Sequence, residues 1–162
     1  MSKKPILIAH RGNTKGPNPE YENRQDYILG AIEKGFYVEV DVWDHMYNYF
    51  YAVRHPGWYL GHDEGKHQVT EKFLQNKKII CHAKDLRTFD KLLENKKIHC
   101  FYHTNEDVVL TSRGWPWLFP QKYMANSIIV LPEQDPEHKI NNVWDINSDV
   151  LGICSDFILN YR

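Results

Sequence analysis

The sequence predicts an α/β domain with a mostly parallel sheet, and two observations lead to this fold class. Short apolar runs alternate along the chain with stretches whose apolar residues recur at helical spacing. The chain has 162 residues, which suits one domain of about 100–200 residues. No linker or internal repeat divides it, so we treat residues 1–162 as a single domain.

The chain begins with a predicted strand, helix and strand. Residues 6–9 form an apolar run that ends at His10, and a loop rich in Gly, Pro and Asn follows. Residues 22–34 place apolar side chains at helical spacing before Gly35, which is typical of a helix and its end. Residues 36–43 alternate valines with polar side chains, which predicts a strand with two unlike faces.

The later elements follow the same logic but become shorter. Residues 47–53 and 58–60 are aromatic and indicate a hairpin or two extensions. One or two helical turns (70–75), a strand (78–83), an amphipathic helix (86–93) and a further strand (98–103) come next. Short strands are predicted last, at residues 115–119, 127–131 and 152–159. Helices are short or missing after about residue 104.

Charge and hydropathy exclude several classes of protein. The chain has 20 basic and 21 acidic residues, a net charge of −1, which argues against a nucleic-acid partner. It lacks the run of about 18 apolar residues that a membrane span needs and an apolar signal-peptide segment. We expect a cytoplasmic protein without stable membrane insertion, and its oligomeric state stays open. Cys81, Cys100 and Cys154 lie in apolar runs, which predicts buried thiols without a disulfide.

Two pairs of polar residues carry the first chemical signal. Glu39 and Asp41 are two residues apart on a predicted strand, so their carboxylates share one face. Such carboxylates repel each other unless a cation lies between them, and a divalent ion meets that need; the alternative is a polar face turned to solvent. His82 and Lys84 repeat the spacing on the next strand. Lys84 requires a carboxylate or phosphate partner, and His82 suits a metal ligand, a core residue or a substrate contact.

Further candidates lie at predicted strand ends, where α/β folds place reactive groups. His10 and His62 each close an apolar or aromatic segment. Arg11 is suited to binding phosphate because its planar guanidinium matches phosphate oxygens. His103 ends a strand on the same side, and Trp117 is a candidate for an apolar wall of a pocket. Each of these residues also has an ordinary structural or surface role as its alternative.

Taken together, these motifs resemble the glycerophosphodiester phosphodiesterase family, which belongs to the superfamily of phosphatidylinositol-specific phospholipase C. The resemblance covers roughly residues 6–84, with a weaker match at Ser155-Asp156. The matching segments stand in the family's order: Ile8-Ala9-His10-Arg11-Gly12, Glu22-Asn23-Arg24, Val38-Glu39-Val40-Asp41-Val42 and Leu60-Gly61-His62-Asp63.

The resemblance implies a TIM-type (β/α) barrel that cleaves a small phosphodiester, with its site at the carboxyl ends of the strands. It implies His10 and His62 as the acid–base pair, with a cyclic phosphate as one route to product. Arg11 and Lys84 are implied as phosphate contacts, and Glu39 and Asp41 as ligands of Mg2+ or Ca2+. Glu22 is implied as support for the metal or the loop. Such barrels usually need about 250 residues, so we expect a pared-down barrel that has lost outer helices in its second half.

This sequence departs from the family at two positions. Arg24 replaces a threonine, and His82 stands where the family has a glutamate that binds metal. Imidazole suits Mn2+ or Zn2+ better than Mg2+ or Ca2+, so the departure predicts a changed metal preference. It also leaves open a non-catalytic protein that binds phosphodiesters or phospholipids on the same fold. A third hypothesis, an interaction protein, draws on the aromatic content of 14%.

Overall fold

The computed structural model describes residues 4–45, 55–136 and 149–162. The strands are β1 (Ile6–His10), β2 (Tyr37–Asp44), β3 (Trp58–Leu60), β4 (His67–Val69), β5 (Ile79–Ala83), β6 (Cys100–Tyr102), β7 (Val108–Leu110), β8 (Pro116–Leu118), β9 (Ile128–Val130) and β10 (Gly152–Ser155). The helices are α1 (Gln25–Glu33), α2 (Glu71–Leu74) and α3 (Leu86–Glu94), with 3₁₀ turns at Pro132–Gln134 and Ile158–Tyr161.

The described strands form one mixed ten-stranded sheet, which confirms the predicted α/β class. Parallel pairs join β6 to β5, β5 to β2, β2 to β1, β1 to β10, β10 to β9 and β9 to β8. Antiparallel pairs attach β3 to the end of β2, β4 to β3 and β7 to β8. The parallel strands therefore run in one direction, and their carboxyl ends lie at one end of the sheet.

The two faces of the sheet contribute to different apolar clusters. The valines of β2 are fully buried and pack in one cluster with Ile28 of α1 and Leu92 of α3. Ile8 and Phe101 belong to a second cluster on the opposite face. Because side chains alternate along a strand, β2 turns its valines toward the helices and its carboxylates toward the second face. The polar–apolar alternation of residues 36–43 predicts this division.

Most predicted elements agree with the structure within a few residues, but several regions differ. The strand predicted at residues 152–159 ends at Ser155, and a 3₁₀ turn over Ile158–Tyr161 takes the place of its second half. Helix α1 begins at Gln25 rather than at residue 22, because Asn23 has a φ of 63° and cannot be helical. Strands β4 and β7, both short and antiparallel, are not predicted by the sequence pattern. The predicted segment 47–53 lies outside the described residues.

The second half of the chain is poor in helices, as predicted. Within residues 95–136 and 149–162, the structure has strands, loops and 3₁₀ turns but no α-helix. None of the helices in the described ranges is long and apolar enough to cross a bilayer. Cys81, Cys100 and Cys154 are free and buried, which confirms their predicted role in the core.

Candidate functional site

The charged candidates meet at the carboxyl ends of β1 and β5, beside the middle of β2. His10 of β1 is in register with Glu39 of β2, and Asp41 of β2 is in register with His82 of β5. Residues in register on parallel strands point to the same face, so all four side chains converge on one side of the sheet. Glu39 and Asp41 are 2% and 1% exposed, which excludes the alternative of a carboxylate face turned to solvent.

Three of these side chains form a compact donor set. Nδ1 of His82 lies 3.4 Å from Oε1 of Glu39 and 3.5 Å from Oδ1 of Asp41. One donor atom from each residue can be chosen so that all lie within 4.8 Å of one another. Two ligands bound at about 2.1 Å to one ion lie roughly 3–4 Å apart. The spacing of Glu39, Asp41 and His82 therefore fits a single divalent ion.

Asp41 is the most heavily contacted member of the donor set. Its Oδ2 accepts a hydrogen bond from Nδ2 of Asn23 at 3.0 Å and lies 2.9 Å from Nε of Arg11. Its Oδ1 lies 3.2 Å from Nζ of Lys84. Burial alone would raise the pKa of Asp41, but His82, Arg11 and Lys84 hold that pKa well below its usual range. Asp41 is therefore ionised, and Lys84 has the carboxylate partner that its position on the strand requires.

His82 is fixed on both sides of its ring. Its Nε2 lies 3.2 Å from the main-chain carbonyl of His103, and its ring stacks on Phe101 at a centroid distance of 4.7 Å. Burial alone would lower its pKa, but the carboxylates of Asp41 and Glu39 raise the pKa of His82 to about 9. Without a metal ion, His82 is therefore a cation that offsets the two carboxylates.

His10 is oriented by a carboxylate that lies 146 residues away in the chain. Its Nδ1 is 2.8 Å from Oδ1 of Asp156, and its Nε2 is 3.8 Å from Oε2 of Glu39. Asn13 donates to the same Asp156 oxygen at 2.8 Å. Burial lowers the pKa of His10, but the hydrogen bond to Asp156 and the charge of Glu39 outweigh it and raise the pKa above 6.5.

Arg11 and Glu22 stabilise the loop beside β1. Nη1 of Arg11 donates to Oε2 of Glu22 at 3.2 Å, and Asn13 donates to Oε1 of the same carboxylate at 2.8 Å. The backbone N–H of Arg11 donates to the carbonyl of Glu39 at 2.9 Å. Glu22 thus binds the loop and Arg11, which is the second of the two roles that the resemblance implies for it.

His62 lies apart from the donor set, although its backbone is anchored nearby. The N–H of Gly61 donates to the carbonyl of Asp41 at 3.1 Å. Gly61 has a φ of 154°, and an added Cβ would lie 2.0 Å from the carbonyl oxygen of Glu64, so only glycine fits there. The side chain of His62 is 48% exposed and pairs with Asp63 at 2.6 Å. Among the described residues, the recorded hydrogen bond and ion pair of this side chain are both with Asp63 and not with another site candidate.

The two remaining candidates contribute differently from the expectation. The side chain of His103 points to the carbonyl of Glu106, so this residue reaches the site through its own main-chain carbonyl. Trp117 is 3% exposed and stacks on Phe101 at 4.5 Å. Trp117 therefore packs behind the site instead of lining an open wall.

Four residues that shape this cluster have no role predicted from the sequence. Asp156 bonds to His10 and accepts from Asn13, while Asn23 binds both the carboxylate and the backbone N–H of Asp41. Phe101 stacks on His82. Asp156 follows a predicted strand, so its position at a strand end is the signal that could have identified it. Nothing in the sequence pattern distinguishes Phe101 from other core aromatics.

A divalent cation is compatible with the chemistry of this cluster. Among the described residues, Oε2 of Glu39 is a buried oxygen that has no hydrogen-bond partner. Two carboxylates and one imidazole form a mixed oxygen–nitrogen donor set, which suits Mn2+ or Zn2+. Comparisons of the chain with protein-family models, curated proteins and solved structures return no significant match.

Proposed function

We propose that this protein is a divalent-metal-dependent phosphodiesterase that cleaves a small, glycerophosphodiester-like substrate. The observation that carries the proposal is the convergence of Glu39, Asp41 and His82 beside the cations Arg11 and Lys84, which both pair with Asp41. Carboxylates and an imidazole can hold a metal ion, while the neighbouring cations suit the free oxygens of a phosphodiester. This combination favours an anionic substrate over a neutral one.

A shortened barrel is the architecture that best supports this proposal. Seven parallel strands follow one another around the sheet in chain order, from β1 through β2, β5, β6, β8 and β9 to β10, which returns to β1. We place the closure between β6 and the hairpin of β7 and β8, because β7 occupies the outer edge of β8. There the ring of Phe101 stacks on Trp117, and the N–H of Ser112 donates to the carbonyl of Cys100 at 2.7 Å.

The metal ligands that we propose are Glu39, Asp41 and His82. A bound divalent ion would polarise the phosphate and neutralise charge that develops on its oxygens. Asp41 presents Oδ1 to this position because Asn23 and Arg11 hold its other oxygen. Arg11 is itself held by Glu22 and Asp41, so its charge stays beside the carboxylates. This arrangement keeps the positive charge in place before substrate arrives.

His10 is the catalytic acid or base that we propose. The carboxylate of Asp156 can only accept a proton, so the hydrogen bond at 2.8 Å places a proton on Nδ1 of His10. Nε2, which faces the donor set, is then the atom that exchanges a proton with substrate. Burial opposes the charged form of His10, but Asp156 and Glu39 outweigh it and raise its pKa above 6.5, which favours the protonated imidazole that a general acid requires.

The exposed position of His62 favours a second candidate function. A phosphodiesterase with two acid–base groups needs both near the substrate, yet His62 pairs with Asp63 at the surface. A protein that binds metal and phosphodiester without cleaving it needs only the donor set and the cations. We therefore keep a non-catalytic phosphodiester-binding protein as the alternative.

An activity assay separates the two functions. Purified wild type is incubated with bis(p-nitrophenyl) phosphate and with glycerophosphocholine in the presence of Mn2+, Zn2+, Mg2+ or Ca2+. The enzyme hypothesis predicts metal-dependent turnover that falls by about 100-fold or more in His10→Ala, while His67→Ala, a histidine outside the cluster, keeps wild-type turnover. Phosphorus NMR of the reaction with glycerophosphocholine distinguishes glycerol phosphate from a cyclic glycerol phosphate.

Two outcomes contradict parts of this proposal. Wild-type turnover in His10→Ala excludes its catalytic role, and wild-type turnover in His62→Ala excludes His62 as the second acid–base group. Metal binding and phosphodiester binding without turnover under any of the metals support the non-catalytic alternative and overturn the enzyme hypothesis.

A further inference from the structure

The orientation of His82 is determined by groups that do not themselves belong to the donor set. A carbonyl oxygen can only accept a hydrogen bond, so the contact of 3.2 Å with the carbonyl of His103 requires a proton on Nε2 of His82. The ring of Phe101 lies nearly parallel to the imidazole, at an interplanar angle of 11°. These two contacts determine both the tautomer and the plane of the ring.

Phe101 is itself held rigidly. It is 1% exposed and stacks on Trp117 at 4.5 Å, with an interplanar angle of 30°. His82, Phe101 and Trp117 thus form a continuous row of rings from the donor set into the interior. A flipped imidazole would lose the bond to the His103 carbonyl and turn a ring carbon toward the carboxylates.

With Nε2 occupied, Nδ1 is the nitrogen that faces Glu39 and Asp41. It lies 3.4 Å from Oε1 of Glu39 and 3.5 Å from Oδ1 of Asp41. A ligating histidine commonly donates its other N–H to a carboxylate or main-chain carbonyl, which fixes its orientation. The contacts of His82 have this form even though the partner is a main-chain group that sequence motifs do not reveal.

We infer that Phe101 and the His103 carbonyl are positioning groups that present Nδ1 of His82 as a ligand and make the site selective for Zn2+ and Mn2+ over Mg2+. This inference rests on the proposed metal-binding function and adds the determinants of metal choice. A fixed imidazole nitrogen increases affinity for transition metals, whereas Mg2+ depends on oxygen ligands and keeps several waters. His82 stands where the resemblance implies a glutamate, and Phe101 and the His103 carbonyl are groups that suit an imidazole at this position.

Metal titration of a matched pair of variants tests the role of Phe101. Phe101→Leu removes the ring that stacks on His82. In the control, Phe89→Leu removes a ring of α3 that stacks at 6.2 Å on Tyr102, the residue after Phe101 on β6. Calorimetry with Zn2+, Mn2+ and Mg2+ is combined with circular dichroism to show that both variants are folded. We expect Phe101→Leu to bind Zn2+ and Mn2+ about 10-fold more weakly and Mg2+ almost unchanged, and Phe89→Leu to match wild type. Wild-type Zn2+ affinity in folded Phe101→Leu overturns the inference.

Nitrogen NMR of the wild type gives a test that does not depend on a variant's folding. In 15N-labelled protein with Zn2+, the resonances of His82, assigned by their loss in His82→Asn, should show a metal-bound Nδ1 and a protonated Nε2. Coordination through Nε2 overturns the inference but leaves the metal site standing. If wild type binds none of the three ions, the proposed metal-dependent function fails together with this inference.

Discussion

His82 and His99 lie on the same face of the sheet, but their surroundings shift their pKa values in opposite directions. The charged region around His82 raises its pKa, whereas the aromatic region around His99 lowers the pKa of that histidine. His82 lies beside Glu39 and Asp41, and these carboxylates overcome burial and raise its pKa to about 9. His99, just before β6, is 1% exposed, hydrogen-bonded to Thr111 and packed edge-on against Trp115 at 4.7 Å. Burial and the charge of Arg113 lower the pKa of His99 to about 4.

The two regions differ in whether carboxylates lie close to the buried histidine. Both regions lie in the protein interior, so burial penalises a charged imidazole in each of them. Only the region at the carboxyl ends of β1 and β5, beside the middle of β2, supplies carboxylates that compensate. The polar region is therefore suited to binding ions, whereas the aromatic region stabilises a neutral side chain.

Removal of the central carboxylate should have the largest effect on the charged region. Asp41→Asn removes the negative charge that Arg11 and Lys84 share, which should lower the free energy of unfolding by about 3–4 kcal/mol. Urea denaturation at pH 7 with a chelator measures this loss. Asp107→Asn is the control, because Asp107 pairs with Lys122 at the surface, and its removal should leave stability unchanged. Equal losses in both variants would contradict the central role of Asp41.

The pH dependence of the metal-free protein tests the charge on His82. Because its pKa is raised in the folded state, its contribution to stability is complete below pH 6.5 and is lost as the pH rises through about 9. The loss should amount to about 3 kcal/mol. In His82→Gln, which keeps a donor for the His103 carbonyl, the unfolding free energy should vary less over this range. If the unfolding free energy of His82→Gln falls with pH as steeply as that of wild type, a group other than His82 titrates over this range.

His99 should change the free energy of unfolding in the opposite direction with pH, and by a smaller amount. Its pKa is lowered by burial, so the unfolded chain takes up a proton first and stability falls as the pH drops from 6.5 toward 4. By pH 5 the loss should be about 2 kcal/mol. Comparison of wild type with His99→Gln between pH 7 and pH 5 isolates this contribution from that of the carboxylates. If the free energy of unfolding of His99→Gln falls more between pH 7 and pH 5 than that of wild type, the contrast between the two regions is wrong.

The sequence predicts the parts of the site that depend on local periodicity. A spacing of two residues places Glu39 and Asp41 on one face, and the same spacing aligns His82 with Lys84 on the next strand. These local patterns predict which side chains share a strand face, whereas their grouping as metal ligands comes from the family resemblance. The approach of His82 to Asp41 depends on the pairing of β5 with β2, which no local pattern encodes. The short second half likewise predicts few helices.

The rest of the site depends on contacts that no local pattern encodes. Asp156 reaches His10 only because β10 pairs with β1 across almost the whole chain. The direction of the His62 side chain depends on the turn after Gly61 and on the neighbouring Asp63. The His103 carbonyl contributes through the main chain, where the residue type carries no signal. Long-range pairing and loop conformation, rather than composition, determine these features.

The most direct test of the metal site is anomalous diffraction from crystals soaked in Mn2+ or Zn2+. We expect one anomalous peak among Oε1 of Glu39, Oδ1 of Asp41 and Nδ1 of His82, at about 2.0–2.2 Å from each atom. Lys84 should then have moved away from Asp41, because both compete for Oδ1. An empty position there, with Lys84 still paired to Asp41 and the ions bound only at surface histidines, would contradict the account.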